Sequence, residues 1–142
     1  MYKILNRTAV SPVKKYKYSG LSFMLFPKMI QQITGVPYEQ YLMDSIYKPL
    51  GADHLMFNPK GKYPDSLIVP TEIDTIFRHT LVKSWVHDEN ASLLGGVSGN
   101  AGLFGTAEDL VKLMYMYQSM GVYGGKRFIS ESTLREFTSI QY

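Results

Sequence analysis

Chemistry in this chain would start most readily at Tyr18, in the run Tyr16-Lys17-Tyr18-Ser19-Gly20. A phenol can relay a proton to or from a hydroxyl nucleophile. It ordinarily ionises near pH ~10, so it needs neighbouring cations to act as a base at neutral pH. Lys14, Lys15 and Lys17 are close in sequence, but lysines beside turn residues read more simply as solvated. In that simpler setting Tyr18 is a partly buried aromatic with its hydroxyl hydrogen-bonded. Residue type alone leaves both readings open.

A nucleophile is harder to find. In the spacing Ser-x-x-Lys, serine and lysine lie about one helical turn apart, so the amine can reach the hydroxyl. Ser11-Pro12-Val13-Lys14 and Ser45-Ile46-Tyr47-Lys48 both fit. Pro12 spoils the first as a rigid helix start, and Ser45 belongs to the inner face of an ordinary helix. Both read as chance matches. A metal site would have to use His54, His79, His87, Asp88 and Glu89. No pair among them has the i, i+4 spacing of a helical zinc site, and neighbours in His87-Asp88-Glu89 turn to different sides of the chain. The glycine run Gly95, Gly96, Gly99, Gly102, Gly105 lacks the Gly-Lys-Ser/Thr ending of a phosphate loop. No cofactor and no metal are expected.

The elements that must position Tyr18 follow from periodicity. Residues 1–15 read as an extended lead-in, and Lys15 to Ser19 alternates like a short strand or bridge. Ser22 is placed to cap a helix in which Phe23, Phe26, Ile30 and Ile33 recur at helical spacing, widened by Leu25 and Met29. Pro27 is tolerable only near the first turn, so this helix starts late or bends, and Gly35 stops it. After Val36-Pro37, Tyr38, Tyr41, Leu42, Ser45 and Ile46 share a face of a second helix that ends at Pro49-Leu50-Gly51. The two helices would form an αα-hairpin. Ala52 to Val86, broken by Pro59, Pro64 and Pro70, reads as a long loop with little regular structure.

Thr106 and Asp109 then resemble a capping box, opening a helix with Leu110, Leu113, Met114 and Tyr117 inward and a stop at Gly121. Gly124-Gly125 marks a turn and Arg127-Phe128-Ile129 a short strand. Ser130 caps a last helix with Leu134 and Phe137 inward. The fold class predicted is mainly α with minor β.

Composition narrows the partners. The chain is 45% hydrophobic and 19% charged, which is globular, and its net charge of +3 is too small and scattered for a nucleic-acid footprint. There is no cysteine, hence no disulfide framework, and this is compatible with both a reducing compartment and a periplasm. No apolar run approaches the ~18 residues of a membrane span, and no signal peptide is legible.

Three blocks, in order, resemble one family. YKYSGLSFMLFPKMIQQITGVPYEQYLMDSIYKPLGADHLMF is similar to a Tyr-Ser-Asn/Asp motif with its helix and a Pro-Leu-Gly ending. VHDENASLLGGVSGNAGLFGTAEDLVKLM and GGKRFISESTLREFTS are similar to the blocks that follow it. The family is that of the serine β-lactamases and penicillin-binding proteins, on its class C and esterase-like side. The nearest pattern is the β-lactamase-like domain joined to a family 3 glycoside hydrolase. Ser98-Gly99-Asn100 also imitates the Ser-x-Asn element of penicillin-recognising enzymes, although a glycine-rich turn with polar fill accounts for it more simply.

This resemblance implies the helical lobe of a β-lactamase/transpeptidase-like α+β fold, and acyl transfer through serine on an amide or ester. Tyr18 takes the place of the Tyr-x-Asn tyrosine, a general base or proton relay. Gly20 stands at the asparagine position and departs from the motif, with no side chain to hold a lysine or a substrate amide. The family's Ser-x-x-Lys would precede residue 1 and its Lys-Thr-Gly strand would follow Tyr142, so 1–142 reads as a single partial domain, inactive alone. A non-catalytic binding module is the alternative that Gly20 suggests. The expected partners are a small-molecule or peptidoglycan-like substrate, the missing parts of the same domain, and a second copy through uncovered apolar surface. The resemblance also implies a periplasmic or cell-envelope location.

Overall fold

The computed structural model describes residues 2–9, 12 and 15–140. In chain order these form α1 (Tyr2–Leu5), a 3₁₀ turn (Phe23–Leu25), α2 (Phe26–Thr34), α3 (Tyr38–Leu42), a π-helical turn (Met43–Tyr47) and α4 (Lys48–Leu50). β1 (Met56–Phe57), a second 3₁₀ turn (Asp65–Leu67), β2 (Pro70–Asp74), β3 (Thr80–Lys83) and α5 (Glu89–Leu93) follow. The chain continues through β4 (Leu103–Phe104), α6 (Ala107–Gln118), β5 (Val122–Tyr123), β6 (Lys126–Arg127) and α7 (Glu131–Thr138). The longest helix has 12 residues and the longest strand 5, so the chain is mainly α with minor β, as expected. Two compact units divide it: Met1–Glu39 with Phe57–Phe104, and Gln40–Met56 with Gly105–Tyr142.

In the first unit, Pro27 decides how α2 begins. It lies in the opening turn, where its missing N–H costs nothing, and the preceding turn is wound as 3₁₀. Side chains three apart eclipse in such a turn, and it is Met24 and Pro27 that are buried. Phe26, Met29 and Ile33, predicted to face inward, are exposed. Ser22 does not cap the helix; its hydroxyl donates to Ser19 O at 3.3 Å. Lys15 to Ser19 forms no strand. Gly35 ends α2 in the left-handed region, as expected.

The predicted loop from Ala52 to Val86 contains a hairpin instead. β2 and β3 pair antiparallel, with Glu72 opposite Val82, Ile73 opposite Leu81 and Asp74 opposite Thr80. Alternation places Val82 and Asp74 in the interior, while Ile73 (76% exposed) and Leu81 (53%) lie on the opposite face. The hairpin's tip is closed by Asp74, which accepts from the backbone N–H groups of Ile76, Phe77 and Arg78 at 2.8–2.9 Å. Arg78 returns a hydrogen bond to Asp74 at 3.1 Å and donates to the carbonyls of Val86 and His87. Asp88 then caps α5 by accepting from Ala91 N at 2.7 Å. Met24, Phe57, Val82, Val86 and Ala91 form the buried apolar set of this unit.

The second unit is built on Tyr47, Leu50, Ala52, Leu55 and Met116, with Leu113, Phe128 and Ile129 packed against them. The π turn is defined by Lys48 N donating to Met43 O, and α4 stops at Gly51 (φ +70°). Thr106 caps α6 as predicted, its hydroxyl accepting from Asp109 N at 3.2 Å. The inward face of α6 is a different one, however. Asp109, Leu113 and Met116 turn in, while Leu110, Met114 and Tyr117 are exposed. The rotation follows from Asp109, which is 1% exposed and bonded on several sides. Val122 pairs with Arg127 and Tyr123 with Lys126 across Gly124-Gly125. Ser130 caps α7 through Thr133 N, with Leu134 buried and Phe137, predicted inward, exposed.

Candidate functional site

Tyr18, Ser19 and Gly20 form the bend that leads into the 3₁₀ turn. Ser19 Oγ accepts from Leu21 N at 3.3 Å, while Gly20 O accepts from Met24 N at 3.2 Å and starts the helical winding. Tyr18 therefore emerges immediately before a fixed helix start. Its ring rests 6.4 Å from that of Phe23, which packs edge-on to Phe26 at 5.5 Å. The side chain is 75% exposed, so the partly buried reading of Tyr18 does not describe it.

The glycine run is folded against this same bend. A Cβ on Gly99 would lie 2.2 Å from Phe23 O, a separation no side chain permits. Glycine at 99 thus lets Ser98-Gly99-Asn100 seat on the backbone of the 3₁₀ turn. Asn58 holds the start of the run, its Nδ2 donating to Gly95 O at 2.9 Å. Within Ser98-Gly99-Asn100, the buried Ser98 hydroxyl donates to Asn100 Oδ1 at 2.5 Å. Asn100 in turn lies over Gly20: a Cβ there would be 3.9 Å from Asn100 Cβ and 4.0 Å from its Nδ2. From the sequence alone, Ser98-Gly99-Asn100 reads as a glycine-rich turn with polar fill. The signal that links it to the Tyr18 bend is the Ser-x-Asn pattern together with the glycine between.

The other sequence candidates are placed elsewhere. Ser11 and Lys14 lie outside the described residues. Ser45 is exposed in the π turn, and Lys48 pairs with Asp44 at 3.0 Å rather than serving a serine. His54 is bonded to Asp109, His87 Nδ1 lies 3.6 Å from Glu72, and His79 sits in the hairpin tip. Among the described residues no three His, Asp or Glu side chains form a group that could hold a metal.

Electrostatics distinguishes the scaffold from the site. Burial opposes ionisation of Asp74, but the N–H groups of Phe77, Ile76 and Arg78 and the Arg78 charge outweigh it and hold the carboxyl below its usual range. The same holds for Asp109, where burial is overcome by Lys112 and by both hydrogen bonds from His54. Both are structural carboxylates. A cleft of about 390 Å³ in the first unit lies between Tyr2, Lys28, Gln31 and Tyr38, and burial raises both tyrosine pKa values. Neither Tyr18 nor Asn100 lines it.

This architecture has known counterparts. With 36% identity over 96% of its length, the chain is similar to a protein of Escherichia coli O157:H7 named "Putative D-alanyl-D-alanine carboxypeptidase". At 36% over 89% it is similar to one of the same name from Salmonella heidelberg (strain SL476). It spans 35% and 32% of those relatives, about a third of their length. Among solved structures, the octameric penicillin-binding protein homologue from Pyrococcus abyssi superposes with a TM-score of 0.65 at 20% identity, over 94% of this chain and 27% of that one. The D-amino acid amidase from Ochrobactrum anthropi SV3 gives 0.59 at 20%, over 89% and 34%. These show a shared fold. Residues 3–139 match the family model described as Beta-lactamase, and the chain belongs to the β-lactamase family.

Proposed function

We propose that residues 1–142 are the central part of one larger domain, a serine acyl hydrolase, and form the wall of its site that carries Tyr18. The nucleophile is then a Ser-x-x-Lys serine outside this span. Tyr18 moves the proton between that serine and the leaving group while an amide or ester is cleaved through an acyl-enzyme. The observation that carries this reading is the exposed Tyr18 phenol at a bend fixed by Ser19, Phe23 and the Ser98-Gly99-Asn100 turn. The name shared by the relatives favours a peptide ending in D-alanyl-D-alanine as substrate, and with it a periplasmic or cell-envelope location.

The test is labelling with a fluorescent penicillin, applied to the 142-residue chain and to the chain extended in both directions along its gene. The extended protein should acquire a covalent label on an upstream serine, and the 142-residue chain none. A label on Ser11 or Ser45 would overturn the assignment of the nucleophile.

Gly20 favours a second reading, a non-catalytic binding module of the same fold. An extended protein that binds peptidoglycan fragments but hydrolyses neither nitrocefin nor short esters would establish it in place of the first.

A further inference from the structure

We propose that the cleft of about 390 Å³ in the first unit binds a zwitterionic amino acid or dipeptide with an apolar side chain, its carboxylate at Lys28 and its ammonium at Glu39. The claim is independent of the hydrolase reading, because Tyr18 is not part of this cleft.

Local sequence builds the two charged sides. Lys28 and Gln31 are three apart on α2 and so share a face, while Glu39 stands in the first turn of α3. Between these polar groups the lining is apolar. Pro27, buried in the opening turn of α2, contributes to it together with Pro37, Leu94 and Val97. Tyr2 and Tyr38 add their rings. The volume lies within the range of small-molecule sites.

The charges select the ligand. Lys28 Nζ lies 5.4 Å from the centroid of the Tyr2 ring, a cation–π contact that keeps the ammonium at the cleft. Among the described residues, no side-chain hydrogen bond or ion pair engages Lys28, Gln31 or Glu39, nor the hydroxyls of Tyr2 and Tyr38. A cation and an anion therefore face one small cleft without neutralising each other. A purely anionic ligand would pair with Lys28 and meet a like charge at Glu39, and a purely cationic one the reverse. A zwitterion complements both. Its side chain then takes the proline, leucine and valine wall out of water. The Gln31 amide and the two phenols, which burial keeps neutral, can bond its remaining polar atoms.

The test is calorimetry on the full gene product with leucine and leucylleucine, run with and without saturating penicillin so that binding at an acyl-transfer site is separated. Both probes, or the better-fitting one, should bind with a Kd of about 1 mM or tighter in either condition. N-acetylleucine lacks the ammonium and leucinamide the carboxylate, and each should bind about fivefold more weakly or worse. Lys28 and Glu39 are exposed, so charge reversal there leaves the fold intact. Lys28→Glu and Glu39→Lys should each weaken the zwitterion about fivefold or more, and the two together should restore it to within about threefold. Absence of binding at about 20 mM, competition by penicillin, equal binding of the blocked derivatives, or indifference to both reversals overturns the proposal. Binding that depends on Lys28 and Glu39 in a protein that takes no penicillin label supports it, and sinks the hydrolase reading alone.

Discussion

Asp109 Oδ2 accepts two hydrogen bonds from His54, one from its backbone N–H at 2.8 Å and one from Nδ1 at 3.0 Å. Oδ1 of the same carboxylate takes Lys112 Nζ at 2.9 Å, and Lys112 also reaches Gly51 O at 2.5 Å. One buried carboxylate thus ties the start of α6 to the segment that leaves α4. Removing its charge should therefore loosen the second unit. Asp109→Asn is expected to cost about 1.5–3 kcal/mol, the range for hydrogen bonds to a charged group, measured by urea unfolding at pH 7.

The same carboxylate predicts an acid limit. Asp109 and Asp74 both have folded pKa values below the ordinary one, so the folded chain binds fewer protons at these sites than the unfolded chain. Their contribution to stability is full above the unfolded value of 3.8 and is lost as pH falls through the lower folded values. The urea midpoint should be flat with respect to these two groups from neutrality to about pH 5, then fall. A midpoint unchanged between pH 5 and 2 would show that neither carboxylate carries stability.

Gly99→Ala should disrupt the turn that sits on Phe23. The added Cβ meets a backbone carbonyl, which cannot swing aside as a side chain can. A loss of about 1–3 kcal/mol is expected, seen as a lowered melting temperature. Full stability in this variant would mean that the close approach does not hold the turn.

Tyr18→Phe tests the phenol alone. Because the side chain is mostly solvated, the melting temperature should change little, within about 0.5 kcal/mol of stability. Hydrolysis by the extended protein should fall by about 10²–10⁴, the usual contribution of a positioned proton relay. A rate within a factor of two of wild type would remove Tyr18 from the mechanism.

The outer face of the β2–β3 hairpin makes a solubility prediction. Ile73 and Leu81 are cross-strand partners on that face, and Val69 and Ile76 are exposed nearby in sequence. Such a patch favours self-association. Light scattering at high concentration should report species larger than a monomer, and Ile73→Lys with Leu81→Lys should reduce them. A monodisperse monomer in the unsubstituted chain would refute this.

What could be read in advance was local. Gly35, Gly51, Thr106 and Ser130 end or begin helices where the sequence places them, because caps and left-handed stops depend on one or two residues, whereas α6 ends at Gln118 with Ser119 as its cap, ahead of the expected stop at Gly121. The buried faces were less legible, because rotation about a helix axis is set by partners distant in sequence. Asp109 turns α6 by one position because His54 and Lys112 satisfy it, and no apolar periodicity records that. The β2–β3 hairpin was hidden by Pro70 and by exposed apolar residues that blur the alternation. Tyr18 is proposed for the site through the resemblance. The proximity of Asn100 to Gly20 was not legible, since it depends on how closely Gly99 can approach Phe23.

The π turn at Met43–Tyr47 bears on how this chain tolerates changes in length. A stretch wound this way holds one residue more than an α-helix spanning the same distance. Removing Ser45, which is exposed, would let the helix close as a continuous α-helix with Leu50 still directed at Leu55 and Met116. A deletion elsewhere in the helix would instead turn Leu50 away by about 100°. The π turn is where a one-residue gap can open in this helix between relatives while the core residues on either side keep their partners.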